Sequence, residues 1–249
     1  MDWSLEFYTK QNQWSGVYEA PINEDHRRKA GWIEELTGSG HRRVLELGAG
    51  GGQVAAAMAA LGHEVVAVEQ VVPLVQHAQR LAAEGINGKL SVIQGDFYTV
   101  MLEGTFDVVC YYDGFGVGSD ADQRRLLNRV AGWLSLHGTA LIEVTTPWYA
   151  ASVDGRGWQV GGAERRYSFA ADGCRWNDSW WPIDQPEQKV QQSLRCYSPA
   201  DLRLLLEPTG LRLEQVKPGG TVDWEAGKWL PSVPLERAMS YLAVLRRQE

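Results

Sequence analysis

Cysteine is scarce in this chain of 249 residues, which contains only Cys110, Cys174 and Cys196. The three lie far apart and form no C-x-x-C pair, so their spacing predicts neither a disulfide framework nor a zinc site. Cys110 lies in an apolar run and is expected to be a core residue. Scattered cysteines of this kind are typical of a reducing compartment, which favours a cytoplasmic protein without a bound metal.

The chain also lacks long apolar runs and long runs of positive charge. No apolar stretch approaches the roughly 20 residues that a membrane-spanning helix needs, and no basic region precedes an apolar stretch as in a signal peptide. The formal net charge is −7 and the pI is near 5.3. Because Lys and Arg are dispersed, the electrostatic footprint of a protein that binds a phosphate backbone is missing. We therefore expect a soluble protein with neither a nucleic acid nor a membrane as its partner.

Glycine, in contrast, is dense just after residues 43–47, which read as a short buried strand. Gly48, Gly50, Gly51 and Gly52 form a turn, and an alanine-rich helix follows. Such glycines let the backbone approach a ligand, and the start of the helix offers unpaired N–H groups. A dinucleotide site usually has the pattern G-x-G-x-x-G, but here a glutamine, Gln53, stands at the third position. The turn predicts a nucleoside-containing ligand.

The pattern Glu46-x-Gly48-x-Gly50-x-Gly52 resembles the first motif of class I S-adenosylmethionine (SAM) dependent methyltransferases. SAM carries a sulfonium and an ammonium group, so a carboxylate at the end of the strand suits it, whereas a pyrophosphate would be repelled. The resemblance covers residues 43–245. It implies a Rossmann-like α/β fold: a seven-stranded sheet with its last strand antiparallel, helices on both faces and an antiparallel β cap insertion.

Residues after the next two strands fit the same resemblance. Glu69 ends an apolar second strand about 20 residues beyond the glycine turn, where its two oxygens can accept hydrogen bonds from a ribose diol. Nicotinamide enzymes place an acid similarly, so Glu69 alone does not choose the cofactor. After the third strand, the resemblance implies that Asp96 binds the adenine amino group and that Phe97 packs on the ring. With SAM as cofactor and S-adenosylhomocysteine as product, the predicted cofactor-binding residues are Glu46, Gly48, Gly50, Gly52, Glu69, Gln70, Asp96, Phe97 and Tyr112.

The glycine-rich loop after the fourth strand is expected where the methyl group is delivered, because ligands of open α/β sheets bind at the carboxyl ends of strands. Asp113 begins this loop and either faces the acceptor or ties down the turn through its own backbone. Methyl transfer is an in-line displacement that needs a base only for a protonated acceptor. The candidates for that base are Asp113, Glu143, Tyr149 and His26, of which His26 is expected to face solvent.

We expect one domain, residues 1–249, with four segments. Residues 1–38 form a lid with about one helical turn, followed by a helix that Asn23 caps. The SAM-binding core is residues 39–146, the cap insertion is 147–197, and a helix and strand hairpin form 198–249.

The cap insertion is predicted to hold a hairpin around Asp172-Gly173 and a third strand. Eleven tryptophans occur in the chain, and seven lie after the last strand of the core. Flat aromatic rings stack on planar substrates and attract ammonium groups, so several of these tryptophans are expected to line or support an acceptor pocket.

The resemblance implies a methyltransferase of the small-molecule, natural-product branch, which carries out N- or O-methylation of a small aromatic or heteroaromatic acceptor in secondary metabolism. An NAD(P)-dependent Rossmann oxidoreductase would share the strand-turn-helix and Glu69, but it leaves Glu46 without a role. A SAM-binding regulatory or carrier protein would keep the cofactor residues without turnover. A methyltransferase acting on a macromolecule is disfavoured by the charge and by the aromatic cap.

Overall fold

The structure is a computed structural model that describes residues 2–84 and 87–248, so the first residue of the expected lid and the last of the C-terminal segment lie outside it. The helices are α1 (Asp2–Ser15), α2 (Glu24–Thr37), α3 (Gln53–Ala60), α4 (Val72–Ala83), α5 (Asp120–Trp133), α6 (Pro147–Ser152) and α7 (Pro199–Leu206). The strands are β1 (Arg43–Leu47), β2 (Glu64–Glu69), β3 (Lys89–Gln94), β4 (Phe106–Phe115), β5 (Leu134–Thr145), β6 (Gly157–Val160), β7 (Ala163–Ala170), β8 (Arg175–Pro182), β9 (Val190–Arg195), β10 (Leu211–Pro218), β11 (Thr221–Asp223), β12 (Lys228–Leu230) and β13 (Ser240–Arg247).

A seven-stranded sheet forms the centre of the described chain, in the order β10-β13-β5-β4-β1-β2-β3. Strands β1 to β5 pair in parallel, whereas β13 is antiparallel to both of its neighbours, β5 and β10. The predicted sheet with its antiparallel last strand is therefore confirmed. Strand order reverses beside β1, so the turns that follow β1 and β4 open into the same crevice.

Helices cover both faces of the sheet, which explains why its strands read as nearly continuous apolar runs. On one face, Ile33 of α2 and Met58 of α3 pack with Cys110, the predicted core cysteine. On the other face, Leu126 of α5 and Leu202 of α7 complete the larger core cluster. The two cores fix the strand ends at which the site is built.

The N-terminal segment differs from its prediction, because α1 is a helix of 14 residues and not a lid with one turn. Its buried positions are Ser4, Phe7, Gln11 and Asn12, which recur with helical spacing. Three of these four side chains are polar, so no apolar period marks the helix. The cap of α2 is as predicted, because the Asn23 side chain accepts a hydrogen bond from the His26 backbone N–H.

The cap is a four-stranded antiparallel sheet in the order β6-β7-β8-β9. The predicted hairpin is β7–β8, in which Ala170 lies opposite Arg175 across the Asp172-Gly173 turn. Strand β6 and the β11–β12 hairpin were not predicted. The cap joins the main sheet through the Arg195 backbone N–H, which donates to the Gly116 carbonyl. Within the described chain, no helix is long and apolar enough to cross a membrane.

Candidate active site

A cavity of about 720 Å³ opens at the carboxyl ends of β1, β2 and β4. Its lining contains six of the predicted cofactor residues, namely Gly48, Gly50, Glu69, Gln70, Asp96 and Phe97. Three separate strand ends of the chain therefore converge on one cavity. We call it the cofactor cavity.

The glycine turn is held between α4 and the N-terminal segment, which leaves no room for side chains. A Cβ atom at Gly52 would lie 2.5 Å from the Ala78 Cβ atom, and the Gly52 φ of 82° is left-handed. A Cβ atom at Gly51 would lie 1.7 Å from the Tyr18 carbonyl oxygen. Gly52 is thus placed for close packing against α4 and does not line the cavity, whereas Gly48 and Gly50 do.

Glu69 is fixed by three backbone N–H groups at the end of β2. One carboxylate oxygen accepts from Gly50, the other accepts from Gln70 and Val71, and each bond is 2.8 Å. Burial raises the pKa of Glu69, and the three N–H groups oppose that rise. The oxygen that accepts only from Gly50 keeps a lone pair free for a ribose hydroxyl.

Glu46 lies outside the cavity lining and is almost fully buried in β1. Burial raises its pKa to about 8, although the positive charge of Lys29 opposes the rise. One of its carboxyl oxygens, Oε2, has no hydrogen-bond partner among the described residues. The structure therefore places this predicted cofactor residue behind the cofactor cavity and not on its surface.

The adenine end of the cavity has aromatic walls. Phe97 packs against Tyr98 and Tyr111, with ring centroids 5.0 and 5.3 Å apart, and the Asp96 carboxylate accepts the Tyr98 backbone N–H. Tyr111 lines the cavity, but the predicted Tyr112 points to the opposite face of β4 and packs against Trp32. Neighbouring strand residues face opposite sides, and both tyrosines are buried, so sequence did not distinguish them.

The roof of the cofactor cavity is formed by α1 and residues 17–20. Tyr8 and Tyr18 line the cavity from above. The buried Gln53 side chain donates to the carbonyl oxygens of Tyr18 at 2.7 Å and Ala20 at 2.9 Å. The glutamine that replaces the third glycine of a dinucleotide pattern therefore ties the roof to the glycine turn.

A second cavity of about 390 Å³ adjoins the first and shares Tyr8, Tyr18 and Asp113 with it. We call it the acceptor cavity. Asp113 lies at the junction, and its exposed side chain faces the two cavities. Burial raises its pKa, while the charges of Lys29 and Arg165 oppose the rise. Its φ of 51° is unusual for a residue other than glycine, and such strain concentrates at functional sites.

An ion pair from the cap lines the acceptor cavity opposite Asp113. Arg165 Nε and Nη2 donate to the two carboxylate oxygens of Asp178 at 2.9 and 2.8 Å, and Trp180 Nε1 donates to Asp178 at 3.0 Å. This pair was not predicted, although both of its residues lie in the predicted hairpin. Its register places Arg165 opposite Trp180, two positions from Asp178 on the same face.

Asp113 is the one base candidate that the structure brings to these cavities. Glu143 accepts hydrogen bonds from Lys29 at 3.0 Å and Ser240 at 2.7 Å, and it lines a separate groove. Burial alone would raise the pKa of Glu143, but Lys29 and Ser240 together lower it, which makes the carboxylate a weak base. Tyr149 packs behind Trp176, and His26 caps α2.

The tryptophans of the cap and of the C-terminal segment have different surroundings. Trp176 lines the acceptor cavity. Trp158 and Trp224 belong with Tyr167 to an aromatic cluster behind it, and Trp180 is fully buried against Phe7. These three support the wall of the cavity from behind, and Trp176 forms part of its surface.

The sheet order, the glycine turn after β1 and the carboxylate that ends β2 are those of the class I SAM-dependent methyltransferase fold. Residues 44–138 match the family described as "Methyltransferase domain". That match spans the core from β1 into β5 and leaves α1, α2 and the cap outside. No match was found among curated proteins.

Solved structures share the fold over nearly the whole chain. The CcbJ methyltransferase from Streptomyces caelestis is 22% identical with a TM-score of 0.74, and the match covers 97% of this chain and 98% of that one. An S-adenosylmethionine-dependent methyltransferase from Clostridium acetobutylicum is 12% identical with a TM-score of 0.67, covering 90% of both chains. The glycopeptide N-methyltransferase MtfA is 20% identical with a TM-score of 0.63, covering 92% and 93%. MtfA has also been solved in complexes with SAM and with S-adenosylhomocysteine.

Proposed function

We propose that the protein transfers the methyl group of SAM to a small aromatic or heteroaromatic acceptor in the acceptor cavity, by N- or O-methylation. The observation that carries this proposal is the contact between the two cavities at Asp113. The two cavities share Tyr8, Tyr18 and Asp113, so a ligand in the acceptor cavity would lie directly beside the cofactor. The free cysteines favour the reducing cytoplasm as its location.

The residues of the cofactor cavity have roles that fit SAM, which supplies an electrophilic methyl group when it is bound. The Glu69 carboxylate, held by three N–H groups, accepts the ribose hydroxyls. Phe97 and Tyr111 form an apolar slot for a flat base. The roof of α1 and residues 17–20 excludes water, and Asp113 can accept a proton from the acceptor.

The same roof disfavours a macromolecular acceptor. Tyr8 of α1 donates to the Gln192 side chain of β9, which closes the space above the acceptor cavity. This bond would have to open before a nucleic acid base or a protein side chain could enter. In addition, the net charge of −7 disfavours the binding of a polyanion such as a nucleic acid. We also propose a role in secondary metabolism, which the resemblance to small-molecule methyltransferases implies.

Transfer of label from methyl-labelled SAM tests the proposal. The enzyme is incubated in parallel with a library of small aromatic amines and phenols, with RNA and DNA, and with a protein mixture, and the products are separated by size. Label in small molecules is expected. Label only in nucleic acid or protein, from an enzyme that binds SAM, would overturn the proposal.

A further inference from the structure

The acceptor cavity contains one negative charge that no protein group compensates. We propose that the acceptor is a small amine that enters in its ammonium form, pairs with Asp113 and is methylated on nitrogen. This inference rests on the proposed function and narrows its acceptor class.

The charges around the cavity support this choice. The Arg165 guanidinium and the Asp178 carboxylate form a bidentate pair, so their charges cancel. Lys29, the other cation that acts on Asp113, is held by Glu143 at 3.0 Å and lies 3.8 Å from Asp25. In the part of the chain that the structure describes, no hydrogen bond or ion pair reaches the Asp113 carboxylate. The cavity thus has a formal charge of about −1, from Asp113 alone.

The exposed Asp113 carboxylate faces the two cavities without a counter-charge of its own. An ion pair formed between protein walls is stronger than one in bulk water, because the effective dielectric constant is lower there. A bound ammonium group would supply the counter-charge.

The remaining walls fit the other parts of such a ligand. The rings of Tyr8, Tyr18 and Trp176 line the cavity, and aromatic faces attract cations. The side-chain oxygens of Gln11 and Gln192 already accept the Tyr18 and Tyr8 hydroxyls. The NH₂ groups of these two glutamines can donate hydrogen bonds to hydroxyl or carbonyl oxygens of the acceptor.

The reaction balances without any further reagent. The ammonium proton passes to an Asp113 carboxylate oxygen, and the freed nitrogen lone pair forms a bond to the methyl carbon. The carbon–sulfur bond breaks and its electron pair remains on sulfur, which yields neutral S-adenosylhomocysteine. The product leaves as an N-methylammonium ion, and Asp113 then releases its proton to water.

The first test compares amines with oxygen analogues of the same shape, such as benzylamine with benzyl alcohol and glucosamine with glucose, within a larger paired library. Mass spectrometry locates the transferred methyl group. Methylation of amines and of none of the paired alcohols or phenols is expected. Methylation on oxygen or carbon would overturn the amine inference and leave the proposed function intact, whereas no transfer to any small molecule would overturn both.

The second test uses the variant Asp113→Asn. Asparagine tolerates a left-handed backbone at least as well as aspartate, so the variant should fold. We expect kcat/KM for the amine to fall about 100-fold or more, with the dissociation constant of SAM unchanged. The matched control Asp172→Asn removes the same charge in an exposed turn and should keep wild-type kinetics. Equal losses of SAM affinity and turnover in Asp113→Asn would place Asp113 in the cofactor site and overturn the inference.

Discussion

Two carboxylates line the same crevice, Glu69 at the end of β2 and Asp113 near the end of β4, but their surroundings differ. Glu69 receives three backbone N–H groups, so its charge is stabilised and its orientation is fixed. Asp113 receives none from the described residues and faces an enclosed space. The environment of a carboxyl group sets its role. Glu69 can act as a fixed acceptor for neutral hydroxyls, and Asp113 can partner a positive group.

The replacement Glu69→Gln should weaken SAM binding by about 1 to 3 kcal/mol. One oxygen becomes an NH₂ group, which cannot accept the backbone N–H groups or a ribose hydroxyl. Calorimetric titration with SAM measures the change. The control Glu64→Gln lies at the other end of β2 and should bind SAM like the wild type. Unchanged affinity in Glu69→Gln would remove this residue from the ribose site.

The buried Glu46 should make the SAM-free protein less stable as the pH rises. Its pKa is about 8 in the folded protein against an ordinary value of 4.5. Between these values the folded state keeps a proton that the unfolded chain has released, so the free energy of unfolding falls with increasing pH.

The variant Glu46→Gln cannot titrate at this position. Its melting temperature, measured without SAM, should exceed that of the wild type by a margin that grows from pH 5 to pH 8. A margin that stays constant over this range would contradict the raised pKa.

At the scale of elements, α1 shows why part of the site could not be predicted. Its buried face is mostly polar because it covers a polar cavity, so the apolar period that revealed α5 is absent. The sequence could not show which of Tyr111 and Tyr112 faces the cofactor cavity, since β4 is buried on both faces. The hairpin β7–β8 was predictable from its Asp172-Gly173 turn, and its register places Arg165 diagonally across from Asp178 on the same face.

The link between the roof and the glycine turn should control how long the cofactor stays bound. In Gln53→Ala, the carbonyl oxygens of Tyr18 and Ala20 lose their donor. We expect SAM to dissociate about tenfold faster, which corresponds to about 1.4 kcal/mol, as measured by stopped-flow fluorescence. Gln76→Ala, at an exposed position of α4, is the control. Equal dissociation rates for Gln53→Ala and the wild type would show that this link does not hold the cofactor.

At the scale of the whole molecule, the parallel order of β1 to β4 brings distant motifs together. Gly48, Glu69 and Asp96 each follow or end a different strand, Asp113 lies near the end of β4, and parallel strands present their carboxyl ends at one edge. This convergence was predictable from sequence, because each motif could be assigned to a strand end. The acceptor cavity was not, since it depends on how α1 and the cap pack across that edge.

A side-by-side calorimetric titration tests most directly whether the crevice binds SAM. Purified protein is titrated with SAM, S-adenosylhomocysteine and NADH under the same conditions. We predict that both adenosyl compounds bind with dissociation constants on the order of micromolar and that NADH does not bind. Binding of NADH alone would contradict the assignment of the glycine turn and, with it, the methyltransferase function.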